Sequence, residues 1–442
     1  MANEKILSFF LRHHFDVHVS VASLTESVLY DMRLGLFGSD SCWCVKKGDS
    51  AGQDMIKTWM LPPNEKPRDK SVIVIDAGGT NFRSCLVTFD ENGDYTISDF
   101  KKTSMPGIER ELSKTEFFSQ IADNIDYLKN KADRIGFCFS YAMRITEDGD
   151  GIPIAFSKEV KAQEVIGCPV GKTLAEELEK RGWNNMQKIA LLNDTVSALL
   201  AGRIAARNGT AYSSYVGFIL GTGINAAYIQ PSFAVGTDEV LVSKQIVVCE
   251  AGKCNKIARS DFDLALDKTT NCPDAYQLEK QCSGAYLGSL AYEVLTCAAR
   301  DGLFTEKTCE NLLALGSLCL IEVDSFLYAP FATDERATIS KACTTDGDRE
   351  LIYDILDILV DRCAKNAAAI LSASCIQTGE GKSVLHPIGI LCNGTTFFKT
   401  HKLRSKIERY LDVYLTESRG IFYELLSLED DITLGTAVAG LR

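Results

Sequence analysis

The stretch at 71–90, SVIVIDAGGTNFRSCLVTFD, constrains the fold more than any other part of the chain. A short apolar run ends in Asp76, the turn Ala77-Gly78-Gly79-Thr80 follows, and a second run reaches Phe89. This pattern predicts two strands joined by a glycine turn. Adjacent glycines accept positive φ and let the backbone approach a ligand closely. The turn also carries a carboxylate (Asp76), a hydroxyl (Thr80) and a guanidinium (Arg83), groups suited to a metal ion and to phosphate oxygens. Taken alone, the stretch fits a plain hairpin equally well.

The pattern then recurs. Residues 213–230, SSYVGFILGTGINAAYIQ, run strand, Leu220-Gly221-Thr222-Gly223 turn, strand. Residues 95–104 and 242–250 each offer a third strand after their hairpin. Two such sets, roughly 140 residues apart, predict duplicated α/β lobes that face one another across a cleft. A chain of 442 residues has room for both, since single cores stop growing near ~250–300 residues.

The remaining segments fit around these two sets. Apolar spacing predicts a helix over 20–37, and 38–58 is irregular. The WMLPP stretch and the charged residues up to Lys70 read as a linker. A helix is expected over 109–131, then a buried strand over 135–139 with Ser140 at its exit, then a turn at 146–151. Residues 188–192 form another buried strand that delivers Asn193 and Asp194 to the start of a helix over 196–207. A helix N-terminus stabilises a carboxylate such as that of Asp194. Helices follow over 274–299, 307–331 and 349–375. A strand over 385–391 ends in the turn Asn393-Gly394-Thr395, and a small-residue helix closes the chain. The organisation expected is an N-terminal helix and linker (1–70), a small lobe (71–194), a large lobe (195–427) and a C-terminal helix returning to the small lobe (428–442). The GCPVGKT stretch at 167–173 is one residue short of a phosphate-binding P-loop and reads as a loop that opens a helix over 173–181.

The net charge of −12 disfavours nucleic acid or an anionic membrane as the main partner. The 16 cysteines include no CxxC pair and several sit in apolar runs, which fits buried thiols in a reduced cytoplasmic protein. The five histidines have no ligand or triad spacing, and the apolar patch at 6–11 is too short to span a membrane.

Three strand-terminal turns and a strand-end carboxylate imply phosphoryl transfer in a cleft, because ligands of open α/β sheets bind beyond the carboxyl ends of the strands. At this point the chain resembles the hexokinase family of the actin-like ATPase superfamily. The matching stretches are IDAGGTNFR, IGFCFSYA, FSKEV, ALLNDTV, GFILGTGINAAYI, the Glu250 region, QLEKQCSGAYLG and LCNGTTFF. They occur in one order, and with DMRLGL and WMLPP they cover the chain from about residue 20 to its end.

The resemblance implies a two-lobed actin-like ATPase (ribonuclease H-like) α/β fold. It also implies ATP-dependent phosphorylation of the 6-hydroxyl of glucose or a close relative, by a monomer or homodimer. Asp76, Gly78, Gly79, Thr80, Asn81 and Arg83 would form the first phosphate loop, with Asp76 near Mg²⁺. Ser140, Ser157, Lys158, Asn193, Asp194, Asn225, Glu250 and Glu279 would hold the sugar, with Asp194 as general base and Lys158 beside it in catalysis. Gly221, Thr222 and Gly223 would form the second phosphate loop, and Gly394, Thr395 and the Gly435 region would flank the adenosine.

Elementary chemistry agrees with that implication. Carboxylates, amides and hydroxyls pair with sugar hydroxyls, which both donate and accept. A primary alcohol needs a base to become a nucleophile, which is worth ~10²–10⁴-fold. Several positions depart from the family: Ile224 stands for Thr, Ala142 for Pro, Ala251 for Trp, Asn393 for Asp and Ser157 for Thr. These leave open a kinase for another sugar or a catalytically weak sugar sensor. An actin-like assembly protein has no use for such a polar cluster.

Overall fold

A computed structural model describes residues 4–38, 48–156, 160–206, 209–235 and 240–442. The two glycine-turn hairpins found in the sequence seed two sheets. The first contains β1 (Lys70–Gly78), β2 (Asn81–Phe89), β3 (Tyr95–Ser104), β4 (Arg134–Phe139) and β5 (Lys188–Leu192), in spatial order β3-β2-β1-β4-β5. The second contains β6 (Ser214–Leu220), β7 (Ile224–Gln230), β8 (Gln245–Val248), β9 (Ile388–Asn393) and β10 (Tyr423–Leu426), in the matching order β8-β7-β6-β9-β10. In both, the first three strands are antiparallel and the last two join in parallel. The duplication expected from the sequence is therefore a repeat of topology. Ile56–Lys57 adds a short outer strand beside β8, within the stretch read as irregular.

Helices cover the sheets because their apolar faces need partners. Helices α1 (Glu4–Arg12) and α2 (Val21–Phe37) bury Phe9, Phe10, Val28 and Met32 in the core of the second sheet's lobe. Helices α3 (Lys114–Ile125) and α4 (Val170–Lys180) cover the outer face of the first sheet through Phe117, Ile121, Leu174 and Leu178. The capping box between Ser113 and Glu116 fixes where α3 begins, inside the longer helix expected. Helix α5 (Asp194–Ala205) follows β5 directly, the 33-residue α6 (Asp346–Thr378) forms the spine of the large lobe, and α7 (Asp431–Gly440) closes the chain.

The two lobes meet through α5 and α7. Val196, Leu199 and Leu200 of α5 and Leu434, Ala437 and Val438 of α7 share one core with Val72 and Val74 of β1 and Ala227 and Ile229 of β7. A side chain of Leu434's size contributes about 1.5–3 kcal/mol when fully buried. The helices cross so closely that a Cβ at Gly435 would lie 1.7 Å from the Ser197 carbonyl oxygen. Gly435 is thus a packing glycine at the crossing.

Two further helical expectations differ from the structure. The run expected over 274–299 is a short Glu279–Cys282 turn and a helix Leu287–Arg300. Between them, Gly284 and Ala285 turn their N–H groups to the carbonyls of Gly221 and Thr222. The run over 307–331 breaks between Leu313 and Leu320, where Gly316 takes φ +75°.

Candidate active site

The strand ends and glycine turns converge on a cavity of about 420 Å³ between the sheets. Of the residues assigned to the sugar by resemblance, Ser140, Asn193, Asp194, Asn225, Glu250 and Glu279 all line it. Ser157 and Lys158 lie outside the described residues. Gly223, assigned to a phosphate loop, also lines the cavity.

Each side chain is placed by its element. Asn193 caps α5, its Oδ1 accepting from Val196 N–H at 2.9 Å. That bond fixes the first turn and presents Asp194 at the helix start, where Thr195 Oγ1 donates to Asp194 Oδ1 at 3.1 Å. Burial raises the pKa of Asp194, and the charges of Asp76 and Asp431 push the same way against the Thr195 bonds. Glu250 ends the β8 segment in the left-handed region at φ +54°, a costly conformation for a side chain of its size. Asn225 Nδ2 donates to Glu250 Oε1 at 2.9 Å, while Asn225 Oδ1 accepts from Ala226 and Ala251 N–H. Burial raises the pKa of Glu250, and Lys253 opposes that rise. Glu279 Oε2 accepts from Ile224 N–H at 3.1 Å, and burial raises its pKa too. A Cβ at Gly223 would lie 2.7 Å from that oxygen, so the glycine gives Glu279 its place.

The first glycine turn borders the cavity. A Cβ at Gly78 would meet Ser140 Cβ at 3.1 Å, and Tyr141 Oη donates to the Gly79 carbonyl at 2.9 Å. Gly79 takes φ +57°, and Gly79 and Thr80 are exposed. Asn81 pairs with Gly78 across the turn. Arg83 Nη1 donates to Asp76 Oδ2 at 2.7 Å.

The second and third turns touch each other. A Cβ at Gly221 would come 3.6 Å from Gly394 Cα, and Thr396 Oγ1 donates to the Gly221 carbonyl at 2.9 Å. Thr222 and Thr395 are both exposed there. Gly435 is not in this group, since it is buried between α5 and α7. The GCPVGKT stretch carries no open phosphate cradle. Gly171 and Lys172 N–H at the start of α4 donate to the Asp150 carboxylate at 2.6 and 2.9 Å.

Residues 11–204 match one hexokinase family model and residues 215–441 match a second. The chain belongs to the hexokinase family. That membership makes it a hexose kinase by class. Hexokinase-1 of Schizosaccharomyces pombe is 28% identical over 370 residues, covering 78% of this chain and 74% of the relative. Glucokinase-1 of Kluyveromyces lactis is 26% identical over 415 residues, 85% of each chain. The fold is that of solved hexokinases. A Schistosoma mansoni hexokinase complexed with glucose superposes over the full length of both chains with TM-score 0.74 at 21% identity. A second hexokinase crystal structure does so with TM-score 0.78 at 18% identity.

Among the polar cavity residues, Thr58, Tyr141, Lys253 and Tyr276 were not picked out from the sequence. Thr58 ends the stretch read as irregular, and Tyr276 falls in a stretch read as helix although it takes φ +53°. Lys253 follows Glu250 by three residues, a spacing that carries a signal only once the turn between them is known.

Among the family departures, Asn393 has a clear partner. Its Nδ2 donates to both oxygens of Asp431, at 2.7 and 2.8 Å. Ile224 and Ala142 line the cavity, and Ala251 is buried beneath it against Asn225. Among the described residues, no helix is long and apolar enough to cross a membrane, and the cysteines are free thiols.

Proposed function

We propose that the protein transfers the γ-phosphoryl group of ATP to the 6-hydroxyl of glucose or a related hexose, with Asp194 as the general base. The observation that carries this reading is the gathering of Ser140, Asn193, Asp194, Asn225, Glu250 and Glu279 around one cavity between two phosphate-type turns. A ring of hydroxyls suits that set, because carboxylates accept from hydroxyl protons while amides donate to hydroxyl lone pairs. The glucose named with the Schistosoma mansoni neighbour supports the same substrate class.

Asp194 would take the proton of the attacking hydroxyl. Its raised pKa brings it nearer to working pH, which is where a general base is most effective. Thr195 fixes the rotation of the carboxylate. Ser157 and Lys158 are proposed beside the sugar on the resemblance alone. The exposed turns Gly78–Thr80 and Gly221–Gly223, with Gly394 and Thr395, would bind the nucleotide through backbone N–H groups and hydroxyls. The donor set near Asp76 is carboxylate oxygen, which fits a hard divalent cation. Mg²⁺ held there would offset phosphate charge during transfer. The cavity lies between lobes that share only part of their core, so closure on sugar would exclude water from the reacting group. The reading places the protein in the cytoplasm, as a monomer or homodimer.

A coupled ADP assay with Mg-ATP and a panel of glucose, mannose, fructose and N-acetylglucosamine tests this function. ADP release that depends on one of these sugars is expected, and none with any of them overturns it. A second reading, a preference for a hexose other than glucose, is favoured by the departures Ala142 and Ile224 in the cavity wall.

A further inference from the structure

Lys253 sits in the wall of the cavity, in the turn Ala251–Lys253 that follows Glu250. Its Nζ lies 2.5 Å from Asp54 Oδ2 and 5.7 Å from the centre of the Tyr276 ring, and Tyr276 lines the same cavity. The side chain is only 25% exposed. Lys253 also borders a second cleft, shared with Asp54, Trp59 and Arg144, that opens beside the first. Braces from two segments distant in sequence hold this ammonium in place, unlike a lysine on a solvated face.

Donors and acceptors in the cavity are unevenly supplied. Asp194, Glu250 and Glu279 offer only acceptors when ionised. Asn225 gives one amide proton to Glu250, and Asn193, whose oxygen is spent on the cap of α5, keeps its amide as a neutral donor, so the charged donor among the described wall residues is Lys253. Thr58 Oγ1 donates to the Ile246 carbonyl. Carboxylates satisfy the protons of a sugar and leave its oxygen lone pairs in need of donors. An ammonium carries three protons, and Asp54 accepts one of those of Lys253.

We propose that Lys253, braced by Asp54 and Tyr276, is a substrate-specificity residue that donates a charged hydrogen bond to a sugar oxygen on the Glu250 side of the cavity. The inference rests on the reading of this cavity as the hexose site. Lys253 selects a hexose that presents an acceptor oxygen at that position over one that lacks it. Its charge also balances the acidic wall. Among the described residues, the charged or titratable groups around Glu250 are Lys253, Asp54, Asp194, Glu279, Tyr276 and Cys249, and Lys253 is the cation in that set.

The test measures binding of glucose and of its 1-, 2-, 3- and 4-deoxy analogues by calorimetry, for the wild-type protein and for Lys253→Met. Loss of a charged hydrogen bond weakens glucose binding about 10- to 100-fold. For one analogue, the one lacking the paired oxygen, variant and wild type bind alike. The turnover number at saturating sugar stays within about threefold, as expected for loss of uniform binding, and Lys253→Arg recovers part of the affinity. Unchanged glucose affinity overturns the proposal. So does an equal loss for every analogue, which is the mark of a merely structural role. If Lys253→Met does not fold, Asp54→Asn provides the second route: a smaller loss with the same selectivity among analogues supports the proposal, and a uniform loss or none overturns it. A wild-type protein that binds no hexose overturns the reading of the cavity itself, whereas wild-type binding with uniform loss overturns only the role of Lys253.

Discussion

Arg83 and Asp76 face each other across the first glycine hairpin as registered partners on adjacent strands, with Nη1 2.7 Å from Oδ2. The pair stands beside the exposed turn Gly79–Thr80 and away from the wall that carries Glu250 and Glu279. Half of this contact is exposed, the Arg83 side chain being 40% accessible, so the pair by itself adds little stability. In the proposed reading the pair holds a cation and a carboxylate in a fixed relation where phosphate would lie. Arg83→Gln is therefore expected to lower kcat about 10²–10³-fold, the scale of one lost transition-state donor. The sugar dissociation constant should stay within about twofold, since that interaction belongs to the transition state alone. Turnover measured beside calorimetric sugar binding checks this, and an equal effect on both would count against it.

Asp194→Asn removes the proposed base and keeps the shape of the side chain. Turnover should fall at least about 10²-fold. Stability should move the other way. Burial raises the pKa of Asp194 in the folded state, so ionising it opposes folding. That penalty is absent below the unfolded pKa and grows as pH rises above it. At neutral pH the variant should melt no lower than the wild type, and the difference should vanish in acid. A variant that melts well below the wild type at pH 7 would refute this account.

The parts of this molecule that could be read from the sequence are those in which chemistry is local. A glycine turn between two apolar runs is written in consecutive residues, and so is an Asn-Asp pair where a buried strand meets a helix. Both sheets and Asp194 were legible for that reason, whereas Glu250 and Glu279 entered only through the family resemblance. Lys253, Tyr276 and Asp431 were not. Each acquires its neighbour through packing of distant segments: Lys253 with Asp54, Tyr276 with Lys253, and Asp431 with Asn393. The broken helix before Leu287 has the same cause. Gly284 and Ala285 leave helical geometry to bond the Gly221–Thr222 turn, a partner some sixty residues upstream. Gly435 shows the converse case. A glycine near a ligand turn and a glycine at a helix crossing look alike in sequence, and only the Ser197 carbonyl separates them.

Gly223 lets the Glu279 carboxylate approach the turn that precedes β7. Gly223→Ala would place a Cβ 2.7 Å from Glu279 Oε2, and the carboxylate must move, along with its bond to Ile224 N–H. The alanine change should raise the sugar KM about tenfold or more, which corresponds to loss of one charged hydrogen bond. Steady-state kinetics against sugar at saturating Mg-ATP checks it. An unchanged sugar KM with a raised ATP KM would mean that Gly223 serves the nucleotide turn alone and not the seat of Glu279.

Asn393 and Asp431 tie the end of a large-lobe strand to the start of α7, the helix that packs against β1 and β4 of the small-lobe sheet. Asp431 is buried, and burial raises its pKa against the Asn393 bonds that lower it. Asn393→Asp restores the residue usual in the resembling family, but here it sets two carboxylates at hydrogen-bonding distance. They cannot both ionise cheaply, so the folded-state pKa of the pair rises. An acid whose folded pKa is raised destabilises the fold above its unfolded pKa and not below it. The variant should lose about 1–3 kcal/mol at pH 8, the scale of a buried group left without its partner, and should recover most of that loss by pH 4. Denaturant unfolding at the two pH values measures it. A loss that is the same at both would mean that the amide acts by shape and not by charge.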